Sequence, residues 1–383
     1  MFNKFIQMKT LHILIFALLF TSFAMRSQEL ALVKESNLIG YINKSGDYVI
    51  EPQFNKASSF SGKYAAAEKD GKWGVINTEG NWIIQPEFDR VKDFNSGYAL
   101  ALKDDQWNYI DPSGKVLDAP VPDKYFDFND GVALFRKENK IGLLGTNGKL
   151  ILEPKYDVIK KFWDGHAKVK SGELWGMINQ KGELIIPAEY KELGTYNSNG
   201  VWGRKGDDFG IVVNGELNIV KGADKIWNFH DNSAMTYARK DKKWGFVNNK
   251  GEWVIEPSYD KVKTFSQGLA PASKGKSWGF INEKGEEIIP FDYRDAEIFA
   301  DNGMAPVKDK KWGFVDTSGN LVIPMEYDIT AGLSFVMTGF KKGFINGLAR
   351  VKSKKGWGFL NGKGEVLGGK WYKNAENFVN TQE

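Results

Sequence analysis

Short apolar runs, broken by glycines and by charged turns, recur along this chain at a nearly fixed interval. The plainest copy reads Lys311-Trp312-Gly313-Phe314-Val315-Asp316, then Gly319, then Leu321-Val322-Ile323-Pro324, then Tyr327-Asp328. The glycine of this phrase, or its stand-in, falls at Gly40, Gly74, Asn108, Gly142, Gly176, Gly210, Gly245, Gly279, Gly313 and Gly358. Successive spacings are 34 residues, apart from one of 35 and a last one of 45. Such a period marks a repeat architecture, whose units are too small to bury an apolar face alone and lean on their neighbours.

Helical repeats also use a period of about 34 residues, so residue content decides the element type. Each unit holds two or more glycines, usually a proline, and many Trp, Phe, Tyr, Val and Ile, which suit strands and break helices. In the seventh unit Trp244-Gly245-Phe246-Val247-Asn248 reads as a strand a, followed by a turn at Asn249-Lys250-Gly251. Trp253-Val254-Ile255 reads as strand b, ended by Glu256-Pro257 because proline cannot donate to a ladder. Tyr259 to Phe265 reads as strand c, and Leu269-Ala270-Pro271-Ala272 as strand d. The expected fold is all-β: ten tandem repeats, each of about four short antiparallel strands.

The ends bear on closure. Leu30 to Lys34 reads as a free strand d ahead of the first unit. Tyr372 and Phe378 keep the strand c spacing of Tyr156 to Phe162, so the chain begins on d and ends on c. Propellers commonly have about four to eight blades, so ten units favour an open curved array. The alternative is a closed, propeller-like ring in which the first strand completes the last unit.

The Lys-Trp-Gly-Phe phrase, the turn glycine, the Val-Ile-Pro strand and the Tyr-Asp pair together resemble the WG-containing repeat family of exported bacterial proteins, over residues 38 to 378. Seven copies carry the tryptophan: Trp73, Trp107, Trp175, Trp244, Trp278, Trp312 and Trp357. The others carry Ile39, Ile141 and Phe209. The resemblance implies a repeat fold and no general catalytic residues.

Residues 1–27 read as a signal peptide: Lys4 and Lys9 precede an uncharged apolar run from Leu11 to Met25, with small or polar residues at Ser22, Ala24 and Ser27. Residues 28–383 then form one repeat domain, expected in the periplasm, on the outer surface or secreted, without a stable membrane span. Removing Lys4, Lys9 and Arg26 from the 52 basic residues leaves 49 against 48 acidic ones, so no basic stripe for nucleic acid stands out. The chain has no cysteine, and packing alone must hold it.

Bulk at the motif position is kept when tryptophan is lost, which points to packing at Trp73, Trp107, Trp175, Trp244, Trp278, Trp312 and Trp357. The partner glycines Gly74, Gly176, Gly245, Gly279, Gly313 and Gly358 are expected to let strands approach closely, which Asn108 does less well. Surface candidates for binding are Trp82, Trp163 and Trp253, together with Phe335 and Phe340 in the extra residues near 332–342. Asp89, Asp157, Asp260 and Asp328 are expected to bond their own turn backbone, since no clustered calcium loop surrounds them.

No catalytic residue, metal ligand or cofactor is assigned. His12 lies in the leader, His166 fills the slot held by Tyr98, Val132 and Leu269, and His230 stands beside Trp227 and Asp231. There is no thiol nucleophile, Gly-x-Ser-x-Gly elbow or phosphate loop. The chain reads as a non-enzymatic interaction scaffold for another envelope protein; the alternative is a glycan or peptidoglycan binder working through exposed aromatics. Its irregular units are the third, with Ala119-Pro120-Val121-Pro122, the sixth, with Val213-Asn214-Gly215, and the stretch before the tenth.

Overall fold

The computed structural model describes residues 28–230, 233–330 and 342–382. These form ten small antiparallel sheets. A full sheet runs c-d-a-b: Lys261–Val262, Leu269–Lys274, Ser277–Asn282 and Glu287–Tyr293 are its strands in the eighth unit. Each sheet therefore takes c and d from one repeat and a and b from the next.

Of the two architectures, the closed ring is the one observed. The first sheet gets its strand c from the far end of the chain, where Asn374–Ala375 pairs with Glu29–Glu35 through Val33 opposite Ala375 and Lys34 opposite Asn374. Leu30 pairs with Val379 as well. The apolar core sits between sheets as ten clusters, whereas an open stack of ten sheets has only nine interfaces. The tenth cluster joins Ala31, Val33 and Ile42 of the first sheet to Phe359 of the last. The expectation of an open array fails because the terminal strands bury this last interface against each other, leaving no end to cap.

Six of the ten interfaces centre on an aromatic pair, Tyr41 with Phe60 and Tyr109 with Phe128 among them. The residue after the motif glycine meets a phenylalanine from the end of strand c: Phe246 with Phe265 at 4.6 Å between ring centres, Phe280 with Phe299 at 4.9 Å, Phe314 with Phe344 at 5.1 Å. The closing interface repeats the arrangement with Phe359 and Phe378 at 4.8 Å. Burying a large side chain of this kind contributes about 2 to 3 kcal/mol.

Two strand boundaries differ from the sequence reading. Strand b does not stop at its proline: Trp253–Tyr259 is one strand through Pro257, and c shrinks to Lys261–Val262. The reason is a bulge. Trp244 pairs with Tyr259 and Phe246 with Ile255, so Glu256, Pro257 and Ser258 arch over the single residue Gly245. A Cβ on Gly245 would lie 2.3 Å from the Ile255 carbonyl oxygen and 2.8 Å from the proline nitrogen. Proline fits because the arch needs no amide donor there. In the third unit strand b is not formed, and Asn108 stands at the glycine position.

The aspartates also differ from expectation. Asp260 accepts from Lys243 Nζ at 2.6 Å and from the amide of Gly275, in a turn of the next sheet, at 2.6 Å. Lys72–Asp89, Lys140–Asp157 and Lys311–Asp328 repeat the ion pair. The carboxylate thus staples neighbouring sheets instead of its own turn.

The motif tryptophans differ in burial. Trp278 and Trp312 are buried, while Trp107, Trp175, Trp244 and Trp357 are half-buried under a lysine or arginine.

Candidate binding cavity at the ring centre

Most c–d turns are entered from a buried phenylalanine, at Phe60, Phe94, Phe128, Phe162, Phe229, Phe265 and Phe299, with half-buried Tyr196 in the fifth unit; Phe344 and Phe378 hold the equivalent positions in the ninth and tenth units. In the Asp130-Gly131 and Asp164-Gly165 turns both residues have positive φ, 51° and 79°, then 49° and 70°. This is the geometry of the tightest hairpin turns, which favour an Asp-Gly pair. Adjacent turns are bonded to one another: Ser96 Oγ accepts from the Gly131 amide at 2.9 Å, and Asp130 Oδ2 from the Gly165 amide at 3.1 Å. Ser266 Oγ donates to the Phe299 carbonyl at 2.6 Å.

The c–d turns of seven consecutive blades converge on one cavity of about 1020 Å³. The c edge of each sheet therefore points to the middle of the ring. The opposite b edge faces outward and exposes Ile83, Ile151, Ile185, Val254, Ile288 and Val322. A smaller cavity of about 380 Å³ lies along other c strands. There burial pushes the Asp93 carboxyl up, against a hydrogen bond from Ser58 that lowers it.

Charge around the large cavity is uneven. Buried Glu297 takes Lys263 at 2.9 Å and Lys342 at 2.5 Å, so the lysine in the lining is already paired. Lining residues Asp164, Glu283 and Asp301 are exposed and have neither an ion pair nor a side-chain hydrogen bond among the described residues. Asp164 lacks the neighbour that Asp130 uses, because the next turn, around Asn197 to Gly200, is irregular. His166 stacks on Tyr196 at 3.6 Å, with Nδ1 2.5 Å from the Asp164 carbonyl oxygen. That contact holds the ring as packing beside the rim.

The sequence candidates separate here. Trp163 lies on the cavity wall and is 42% exposed. Trp82 and Trp253 do not join it. Each starts a strand b, at Trp82–Phe88 and Trp253–Tyr259. Trp82 packs edge-on to Phe54 of the preceding blade, and Trp253 Nε1 donates to the Lys221 carbonyl at 3.2 Å. Phe335, Phe340 and Asp231 lie outside the described residues, as do residues 1–27. Strand c of the ninth unit ends at Thr330, and Lys342, after the extra residues, lines the cavity. Sequence reasoning missed Tyr196, Glu283 and Asp301. For Tyr196 and Asp301 the signal was present in the aromatic residues near the c–d turns, spaced mostly 34 residues apart, which mark a second repeated motif; Glu283, on an a–b turn, carries no such mark.

Fold and cavity define a ten-bladed β-propeller-like ring with a polar central basin. The family described as WG containing repeat matches residues 39–73, 73–107, 109–140, 141–175, 175–202, 244–277, 278–311 and 312–331. The chain belongs to this WG-repeat family. The whole of the sixth unit and of the tenth fall outside the matches. None of the curated proteins compared matches the chain. Among solved structures it is similar to a eukaryotic initiation factor, at 12% identity over 77% of this chain and 95% of that one, with a TM-score of 0.46. It is also similar to the dihydro-heme d1 dehydrogenase NirN, at 10% identity over 93% and 75%, with a TM-score of 0.36. A third, PorZ of the Porphyromonas gingivalis type-IX secretion system, shows 8% identity over 89% and 57%, with a TM-score of 0.25. Values this low carry no function across. Among the described residues no helix is long and apolar enough to cross a membrane.

Proposed function

We propose that this ring is a non-enzymatic, exported scaffold that holds another protein of the bacterial cell envelope. The observation that carries this reading is the convergence of seven c–d turns on one basin while the repeated motif residues are spent on packing. Loops placed by a rigid scaffold are where binding residues collect. Export rests on the leader-like pattern of residues 1–27. No cofactor, metal or nucleic acid enters this reading.

The exposed face of Trp163 among Asn197, Gln267 and Asn346 supports a second reading, in which the basin takes a glycan or peptidoglycan strand. One experiment separates the two. The tagged ring is cross-linked in envelope fractions, the captured protein is identified, and the pair is rebuilt from pure components. The scaffold reading expects a saturable complex that weakens at least about tenfold in Tyr196→Ala, the loss of one aromatic hot spot. Failure of the pure pair to bind, with saturable tryptophan quenching by soluble cell-wall fragments, overturns it in favour of the glycan.

A further inference from the structure

The chain treats its tryptophans in a consistent way. Trp107, Trp175, Trp227, Trp244, Trp278, Trp312 and Trp357 each carry a lysine or arginine over the ring. Trp73, Trp82 and Trp371 pack into core clusters, and Trp202 and Trp253 both pack and donate through Nε1. Trp163 is the exception. Among the described residues it has no cation over its ring, no core cluster and no side-chain hydrogen bond, yet its backbone is fixed to His166 by two hydrogen bonds. It therefore presents an uncapped aromatic face to the central cavity.

That cavity also holds the unpaired carboxylates of Asp164, Glu283 and Asp301, while its lysine, Lys342, is consumed by Glu297. An aromatic face attracts a cation through its quadrupole, and carboxylates on low-dielectric walls focus the same sign of potential. A neutral sugar gains from the first feature alone. Resting on the scaffold reading above, we propose that the central cavity receives a lysine- or arginine-bearing segment of the partner protein. One cationic side chain lies over Trp163, and Asp164, Glu283 and Asp301 compensate the charge. The partner thus supplies the cation that the fold supplies elsewhere.

The test titrates the full mature chain with three probes: a ten-residue peptide of alternating lysine and glycine, its glutamate counterpart, and a hexamer of N-acetylglucosamine. Calorimetry and tryptophan fluorescence give the readouts. The lysine peptide is expected to bind saturably and the other two not. Raising the salt should weaken binding, because charges more than about 10 Å apart are screened at 0.1 M. Trp163→Ala is expected to weaken it by about tenfold, the scale of a desolvated cation–aromatic contact. The double variant Asp164→Asn/Asp301→Asn, at two exposed turn positions, should weaken it at least as much with an unchanged melting temperature. Absence of lysine-peptide binding overturns the proposal, as does binding that neither variant affects or preferential binding of the sugar. If an envelope protein still binds the basin while the charge variants are silent, the scaffold reading stands and this proposal falls.

Discussion

The motif glycine is fixed by one contact. In the seventh unit, as in most others, the arch of strand b brings a carbonyl oxygen so close that a methyl group has no room. Gly245→Ala is expected to destabilise the ring by about 1 to 3 kcal/mol, the cost of forcing an extra carbon into a packed site. Asn108→Ala, with no strand b above it, should stay within about 0.5 kcal/mol of the parent. Urea denaturation of the two variants checks the contrast, and equal losses would refute the arch as the cause. The stapling carboxylates give a pH signature. Lysine hydrogen bonds hold Asp89, Asp260 and Asp328 below the ordinary carboxylate range, and Asp157 also leans on the Gly172 amide. A depressed folded-state value means the contribution is intact above the unfolded value and lost as pH falls through the folded one. Stability should therefore be level near neutrality and drop below about pH 4, less so in Lys243→Met, whose aspartate has lost its cation. A melting profile that is identical for parent and variant from pH 3 to 7 would contradict the staple.

At the scale of the element, the aromatic pair holds blade to blade. Phe246→Ala and Phe265→Ala each leave a void in the same cluster and are expected to cost about 3 to 5 kcal/mol, with the double variant costing clearly less than the sum. Additive losses in a double-mutant cycle would show that the rings are not coupled. Element type was readable from the sequence, because glycine, proline and β-branched content excluded helices in every unit. Boundaries were not. Proline before Tyr259 looked like a strand end, since the rule that proline breaks a ladder applies to regular pairing and not to a bulge. The aspartate partners were equally hidden: Lys243 and Asp260 are 17 residues apart, and only the arch brings them together. Of the cavity, Trp163 was visible as an exposed aromatic. Asp301 and Glu283 were not, because they sit on turns of two adjacent sheets that only the fold brings to one cavity.

For the whole molecule, closure decides whether a central cavity exists. The terminal strands were legible as d and c, yet the number of units argued for an open array. What tipped the balance was the tenth cluster, with Phe359 on Phe378 and buried Arg350 bonded to the Ala375 carbonyl at 2.5 Å and to Glu376 at 2.9 Å. In that cluster Ala31, Val33 and Ile42 meet Phe359, and Glu29–Glu35 pairs with Asn374–Ala375 and Val379; these contacts join opposite ends of the chain, and no local pattern announces them. The absence of native cysteine makes closure directly measurable. In Lys34→Cys/Asn374→Cys the two positions are cross-strand partners. Mild oxidation of the monomer should join them within one chain and remove both free thiols, with a mobility shift reversed by reductant. Thiols that stay free, or bonds that form only between chains, would contradict the closed ring.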